Sequence, residues 1–143
     1  MPSNKMTCLE CGQVNRVPAD KLRAGPKCGT CGAALMPSKV VEIDLATLSK
    51  AARNDDVQLV VDFWAPWCGP CRVMAPEFAK AAQELSGQAR LVKLNTEQHP
   101  ASGAQYGIRG IPTVAAFAGG REKARQSGVM RADKIVSWVR GAV

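Results

Sequence analysis

Six cysteines fall into three pairs with one spacing: Cys8 and Cys11, Cys28 and Cys31, Cys68 and Cys71. Two intervening residues let a tight turn present both sulfurs to one ion, or to each other. The start, Met1-Pro2-Ser3-Asn4-Lys5, has neither the apolar stretch nor the small-residue cleavage site of a secretory leader. No apolar run approaches the roughly 18–20 residues that span a bilayer. A cytoplasmic chain without membrane association, its thiols reduced by default, is therefore expected. In that setting repeated Cys-x-x-Cys pairs indicate metal binding or redox chemistry rather than structural staples.

The surroundings of the pairs separate them. Residues 1–36 are rich in Gly, Pro, Cys and Lys and show almost no apolar periodicity. Leu9, Val14, Val17, Leu22 and Leu35 are too few to offset the chain entropy of ordering this segment. Cys8/Cys11 and Cys28/Cys31 stand sixteen residues apart, and each pair is followed by a glycine, Gly12 or Gly32. Two such turns supply the four thiolates of a closed structural Zn2+ site. Binding free energy then becomes folding free energy, which this segment lacks. Two further disulfides, a redox-switched site that loses its zinc, and an iron centre are the alternatives. A closed site leaves no open position for catalysis, and His99, the one histidine, is not needed as a ligand. Met36-Pro37-Ser38-Lys39 reads as a linker. The expected division is a zinc-binding four-cysteine domain over 1–36, a linker over 37–39 and a larger domain over 40–143.

The formal charge is +7, with six Lys/Arg against two Asp/Glu in residues 1–39. Four zinc-bound thiolates lower that local excess, and residues 1–36 carry no interleaved aromatics. Nucleic-acid binding is therefore not expected. Arg121, Lys123, Arg125, Arg131 and Lys134 read as a solvated face, or as a surface attracting acidic partners.

From Val40 the pattern becomes that of an α/β domain. Val40 to Ile43 reads as a short strand, and Asp44 can cap a helix carrying Leu45, Leu48, Ala51 and Ala52 on one face. Val57 to Phe63 lacks alternation and suits a central strand buried on both faces. Met74, Phe78, Ala82 and Leu85 recur at helical spacing, with Pro76 inside the run. A strand over 89–95, a short helix over 98–106, and two strands flanking Gly119-Gly120 follow. The last helix runs over 131–140, with Ile135, Trp138 and Val139 inward. The order β-α-β-α-β-α-β-β-α predicts a mixed sheet with helices on both faces.

Trp67-Cys68-Gly69-Pro70-Cys71 joins the buried strand to the helix after it. Cys68 thus lies at a helix N-terminus, where free N–H groups and the macrodipole favour a thiolate. It reads as the nucleophile, and Cys71, one turn on, as the resolving thiol that closes a redox-active Cys68–Cys71 disulfide. Pro70 sits where a missing N–H costs nothing. Trp64 and Trp67 flank the pair and offer apolar area for docking. A third metal half-site would need two ligands from elsewhere.

Val61 to Met74, with its intact Trp-Cys-Gly-Pro-Cys run, resembles the active-site stretch of thioredoxins. The resemblance extends through Gly107-Ile108-Arg109-Gly110-Ile111-Pro112-Thr113 to Gly119-Gly120, over about residues 40–143. Cys8 to Cys31 resembles the zinc-bearing N-terminal extension of bacterial thioredoxin-2 proteins. The resemblance implies a thioredoxin fold and a protein-disulfide reductase without an organic cofactor, Gly69-Pro70 being the dipeptide of reducing members. It implies a cis bond before Pro112 and a backbone at Ile111 that pairs with an extended substrate segment. It implies that Asp62 is a buried acid of raised pKa that accepts the Cys71 proton, and that Lys93 tunes it. The implied partners are disulfide-bearing proteins and an NADPH-linked thioredoxin reductase, with the chain a monomer. A zinc-dependent redox sensor or client-binding module is the alternative reading.

Overall fold

A strand with apolar residues on both faces must be covered by helices on both sides, and the chain builds outward from one. The structure, a computed structural model, describes residues 3–142. Met1, Pro2 and Val143, which bound the expected domains, lie outside the described residues. The larger unit has strands β3 (Val41–Glu42), β4 (Gln58–Trp64), β5 (Ala89–Asn95), β6 (Thr113–Ala118) and β7 (Arg121–Ser127). Its helices are α1 (Leu45–Asn54), α2 (Gly69–Glu84), α3 (Ala101–Tyr106) and α4 (Ala132–Gly141). The sheet order is β3-β5-β4-β6-β7. β4 pairs parallel with β5 and antiparallel with β6, so the sheet is mixed, as expected.

β4 is buried from Gln58 to Phe63. Val60 packs with Leu91, Val114 and Ala116 against Met74 and Phe78 of α2, Leu85 just after it, and Ile135, Val136 and Val139 of α4. Leu59, Val61 and Phe63 face the other way, with Val92, Leu94, Ala115 and Phe117, against Leu48, Ala51 and Ala52 of α1. The alternation of Cβ directions along each strand thus splits one sheet between two apolar layers.

Local signals fix most element ends. Asp44 caps α1 by accepting from the Thr47 N–H at 2.8 Å. Gly119 and Gly120, with φ of 62° and 84°, make the turn between β6 and β7. The short helix begins at Ala101 rather than Gln98. The side-chain oxygen of Asn95 accepts from the N–H groups of Glu97 and Gln98 in a turn instead, and Pro100 disfavours helical geometry at His99. In α4 Val136 is buried, while Trp138 packs half-buried beside the same core.

The N-terminal segment forms an antiparallel pair, β1 (Ser3–Thr7) and β2 (Val14–Pro18), that the sequence periodicity did not signal. Its core of Met6, Cys8, Val17, Cys28 and Leu35 includes Val57 from the larger unit. The segment therefore buries its few apolar side chains partly against the foot of β4. Arg121, Lys123, Arg125, Arg131 and Lys134 are exposed, as a solvated face requires.

Phe78 is 1% exposed between α2 and the sheet. Truncation by Phe78→Ala is expected to cost about 3–5 kcal/mol of unfolding free energy, measured by urea titration. A loss below about 1 kcal/mol would mean that α2 is not anchored there.

Candidate active site and metal centre

β4 ends at Trp64, and Ala65 to Cys68 turn the chain into α2. The turn is closed by the Cys68 N–H donating to the Ala65 carbonyl at 3.1 Å. Cys68 is the N-cap of α2 in extended geometry, with φ −84° and ψ 109°. Its sulfur accepts from the Cys71 N–H at 3.2 Å. This is the arrangement that favours negative charge at a helix start. Cys68 and Cys71 are joined as a disulfide with a Cα–Cα distance of 5.3 Å. Both are nearly closed to solvent, at 4% and 2% exposure. Gly69 and Pro70 form the first turn of the helix.

The chain before β6 approaches from the other side. The Ile111–Pro112 bond is cis. The Ile111 carbonyl oxygen lies 3.8 Å from the Cys68 sulfur. The Thr113 hydroxyl donates to the Gly110 carbonyl at 2.6 Å and holds this loop against the strand. Beside it lies an open cavity of about 210 Å³, lined by Trp67, Thr96, Ile108, Arg109 and Ile111 among others. Trp67 is 67% exposed over its mouth. Trp64 is only half-buried, and its ring lies beneath the Lys93 ammonium, 4.8 Å from the ring centroid.

Asp62 lies opposite Lys93 of β5 and Val114 of β6 in the sheet register. Its parity with Val60 places it on the α2 side of the sheet. One carboxyl oxygen, Oδ1, has no hydrogen-bond partner among the described residues. Burial pushes the Asp62 carboxyl up to about 7, against the pull of the Lys93 charge. The structure thus brings Cys68, Cys71, Trp67, Ile111 and Pro112 together and sets Asp62 and Lys93 side by side behind them.

The four remaining cysteines converge in the N-terminal segment. Their sulfurs lie within 4.8 Å of one another, with Cys8–Cys31 at 3.6 Å and Cys11–Cys28 at 3.7 Å. A tetrahedron with Zn–S bonds of about 2.3 Å has edges of about 3.8 Å, so the donor set fits zinc. The two turns share one backbone pattern. The N–H of Cys8 donates to Gln13 and that of Gly12 to Cys8, at 2.8 and 2.9 Å. The N–H of Cys28 donates to Ala33 and that of Gly32 to Cys28 at the same two distances. Gly12 and Gly32, with φ of 81° and 78°, supply the left-handed step each turn needs. Hydrogen bonds from the Cys31 backbone, the Asn15 amide and the Thr30 backbone bring the Cys28 thiol down to about 6, which favours the ligating thiolate. His99 stands outside the cluster, half-buried before α3.

Three residues that sequence reasoning passed over join this centre to the sheet. Arg90 Nη2 donates to Asp55 Oδ2 in an ion pair whose side chains are 0% and 2% exposed. Asp55 Oδ1 accepts from the Thr7 N–H and hydroxyl at 2.7 and 2.8 Å. The available signal was a lone arginine inside the otherwise apolar run Ala89-Arg90-Leu91-Val92. A cation in a buried strand requires an anion.

Residues 39–141 match the thioredoxin family profile, and residues 7–33 match the profile described as thioredoxin 2, N-terminal. Thioredoxin C-3 of Corynebacterium nephridii is 37% identical over 134 residues, covering 94% of this chain and 92% of that protein. The thioredoxin of Haemophilus influenzae is 35% identical over 102 residues, covering 71% of this chain and 95% of its own. Chloroplastic thioredoxin z superposes with a TM-score of 0.66 at 33% identity, over 73% of this chain and 94% of that one. The chain therefore belongs to the thioredoxin family, as a protein-disulfide reductase of that type carrying the N-terminal zinc ribbon of the thioredoxin 2 branch.

Proposed function

We propose that Cys68 and Cys71 carry the electrons and that Cys68 attacks first. The observation behind this is the position of Cys68 as the N-cap of α2 beside the open cavity at Trp67. In the dithiol form the Cys68 thiolate attacks one sulfur of a substrate disulfide, and the other substrate sulfur leaves and takes up a proton. Cys71 loses its proton and attacks Cys68. The second substrate sulfur leaves as a thiol, and two electrons have passed from the chain to the substrate. Asp62 is the proton acceptor for Cys71, since its pKa near 7 lets it both take and return a proton at neutral pH. Lys93, opposite it in the register, holds that pKa from rising further.

Substrate binding falls to the surface around the pair. Trp67 presents an exposed apolar face, and Trp64 packs against the cluster of Ala65, Cys68 and Cys71. Gly69 and Pro70 keep the first turn of α2 free of bulk. Ile111, ahead of Pro112, offers main-chain groups to an extended peptide. The natural substrates are disulfide-bearing proteins, and an NADPH-linked thioredoxin reductase restores the dithiol. The chain acts as a monomer in the cytoplasm.

Zinc at Cys8, Cys11, Cys28 and Cys31 serves folding rather than catalysis, as four thiolates fill its coordination sphere. The working division of the chain is 1–36, 37–39 and 40–143. The alternative is a zinc-dependent sensor or client-binding module, and none of the described ribbon residues lines the cavity at Trp67.

Three outcomes are expected. Wild type reduces insulin disulfides in a turbidity assay with dithiothreitol, Cys68→Ser is inactive, and Cys71→Ser accumulates a substrate-linked adduct on a non-reducing gel. Equal activity in Cys68→Ser would reverse the assignment. Metal analysis of the purified chain finds one zinc per chain, lost when any two of the four cysteines become serine. The third outcome concerns pH. The Asp62 carboxyl rises from an ordinary 3.8 to about 7 on folding. Stability is therefore full below about 4 and falls as pH rises through about 7. Asp62→Asn removes this loss. It should stabilise the oxidised chain more at pH 8 than at pH 5, by as much as about 4 kcal/mol at pH 8. Urea titration at the two pH values decides it, and an equal gain at both would mean an ordinary carboxyl.

A further inference from the structure

Arg90 touches more of the ribbon than a simple ion pair requires. Its Nη1 donates to the Thr7 carbonyl at 2.8 Å and to the Leu35 carbonyl at 3.4 Å. Thr7 immediately precedes the ligand Cys8, and Leu35 follows the turn that carries Cys28 and Cys31. One guanidinium therefore grips both arms of the metal site. Its counter-ion Asp55 binds the same Thr7 through the backbone and the hydroxyl.

Asp55 is equally tied into the catalytic unit. Its N–H caps α1 at the Ala51 carbonyl, 2.9 Å away, and its carbonyl accepts from Gly119 in the β6–β7 turn at 3.0 Å. The next residue, Asp56, exchanges two bonds with Lys5 of β1: its N–H donates to the Lys5 carbonyl at 2.9 Å, and its carboxylate accepts from the Lys5 N–H at 2.8 Å. Arg90 itself belongs to β5, opposite Leu59 of β4.

Charge gives the pair a direction. Four thiolates around Zn2+ leave a net charge of −2, and Cys8 and Cys28 are buried. Arg90 is a fully buried cation whose charge and that of the Cys8 thiolate attract each other. A metal-filled ribbon thus favours the guanidinium where it sits.

We propose that the Asp55–Arg90 pair couples metal occupancy of the ribbon to the stability of the catalytic sheet, Arg90 acting as a positioning residue for both arms of the metal site. This rests on the reading that the four cysteines hold zinc. Metal analysis tests that reading alone, because a chain purified without zinc fails it before the coupling is examined.

The test uses the full chain under reducing conditions. Trp64, Trp67 and Trp138 are its three tryptophans, and all lie in the catalytic unit. Their fluorescence therefore reports unfolding of that unit and not of the ribbon. In wild type, zinc removal by a chelator should lower the tryptophan-monitored urea midpoint. In the double variant Asp55→Asn/Arg90→Gln, whose cysteines are intact, zinc removal should leave the midpoint unmoved. Release of zinc to a chromogenic chelator should be about tenfold faster in the variant. An equal shift in both proteins, or no shift in wild type, overturns the proposal. If the double variant fails to fold, Thr7→Val supplies the decision. It removes one hydroxyl from Asp55, and the proposal requires both a smaller shift and faster release than in wild type.

Discussion

Everything functional in this chain hangs from β4, a strand with no solvated face. Burial on both sides forces helices onto both faces of the sheet and leaves only the strand's two ends free for chemistry. At its C-terminal end the chain must turn sharply into α2, and that turn delivers Cys68 to a helix N-terminus. Just before its N-terminal end lie Asp55 and Val57, and these receive the ribbon. The strand therefore keeps the two cysteine chemistries apart. The Cys68–Cys71 pair stands at one end. The segment that carries the four-cysteine cluster docks at the other.

Opposite uses of electrostatics mark the reactive end. At Cys68 the backbone offers the Cys71 N–H to the sulfur, the arrangement that favours negative charge at a helix start. At Asp62 the interior offers almost nothing to a carboxyl, which favours the neutral form. In the proposed proton transfer, an acid brought up to about 7 exchanges a proton with the second thiol as the site runs as dithiol and as disulfide in turn.

The reactive end was legible in the sequence because its determinants are local. The spacing of Cys68 and Cys71, the apolar strand before them and the helical period of Met74, Phe78, Ala82 and Leu85 all lie within thirty residues. The four-cysteine centre was legible for a similar reason: spacing and the following glycines carry the signal. Asp62, Lys93, Ile111 and Pro112 came only through the family resemblance, since nothing in their own neighbourhoods distinguishes them. What stayed hidden was long-range pairing. Thr7 meets Asp55 across 48 positions and Arg90 across 83, and no periodicity records such a contact. The β1–β2 pair was hidden differently. Its strands alternate weakly because one small core, shared with Val57, covers them. The start of α3 shifted because Asn95 and Pro100 imposed a turn on a sequence otherwise apt for helix.

The position of the ribbon also limits what it can do for catalysis. None of its described residues lines the cavity at Trp67, so they do not select substrates by touching them there. Its contacts instead converge on Asp55, Asp56, Val57 and Arg90, the entry points of β4 and β5. Those strands carry Asp62 and Lys93 in register at their other halves. A segment with too little apolar surface to fold alone is thus tied to the sheet by a buried ion pair, with the four-cysteine cluster proposed to hold zinc on its other side. Breaking a buried ion pair costs about 3–5 kcal/mol, a large share of the stability of a domain this size. In the proposed coupling the ribbon acts on the reductase through these two strands, a route open to a unit that does not touch the reacting sulfurs.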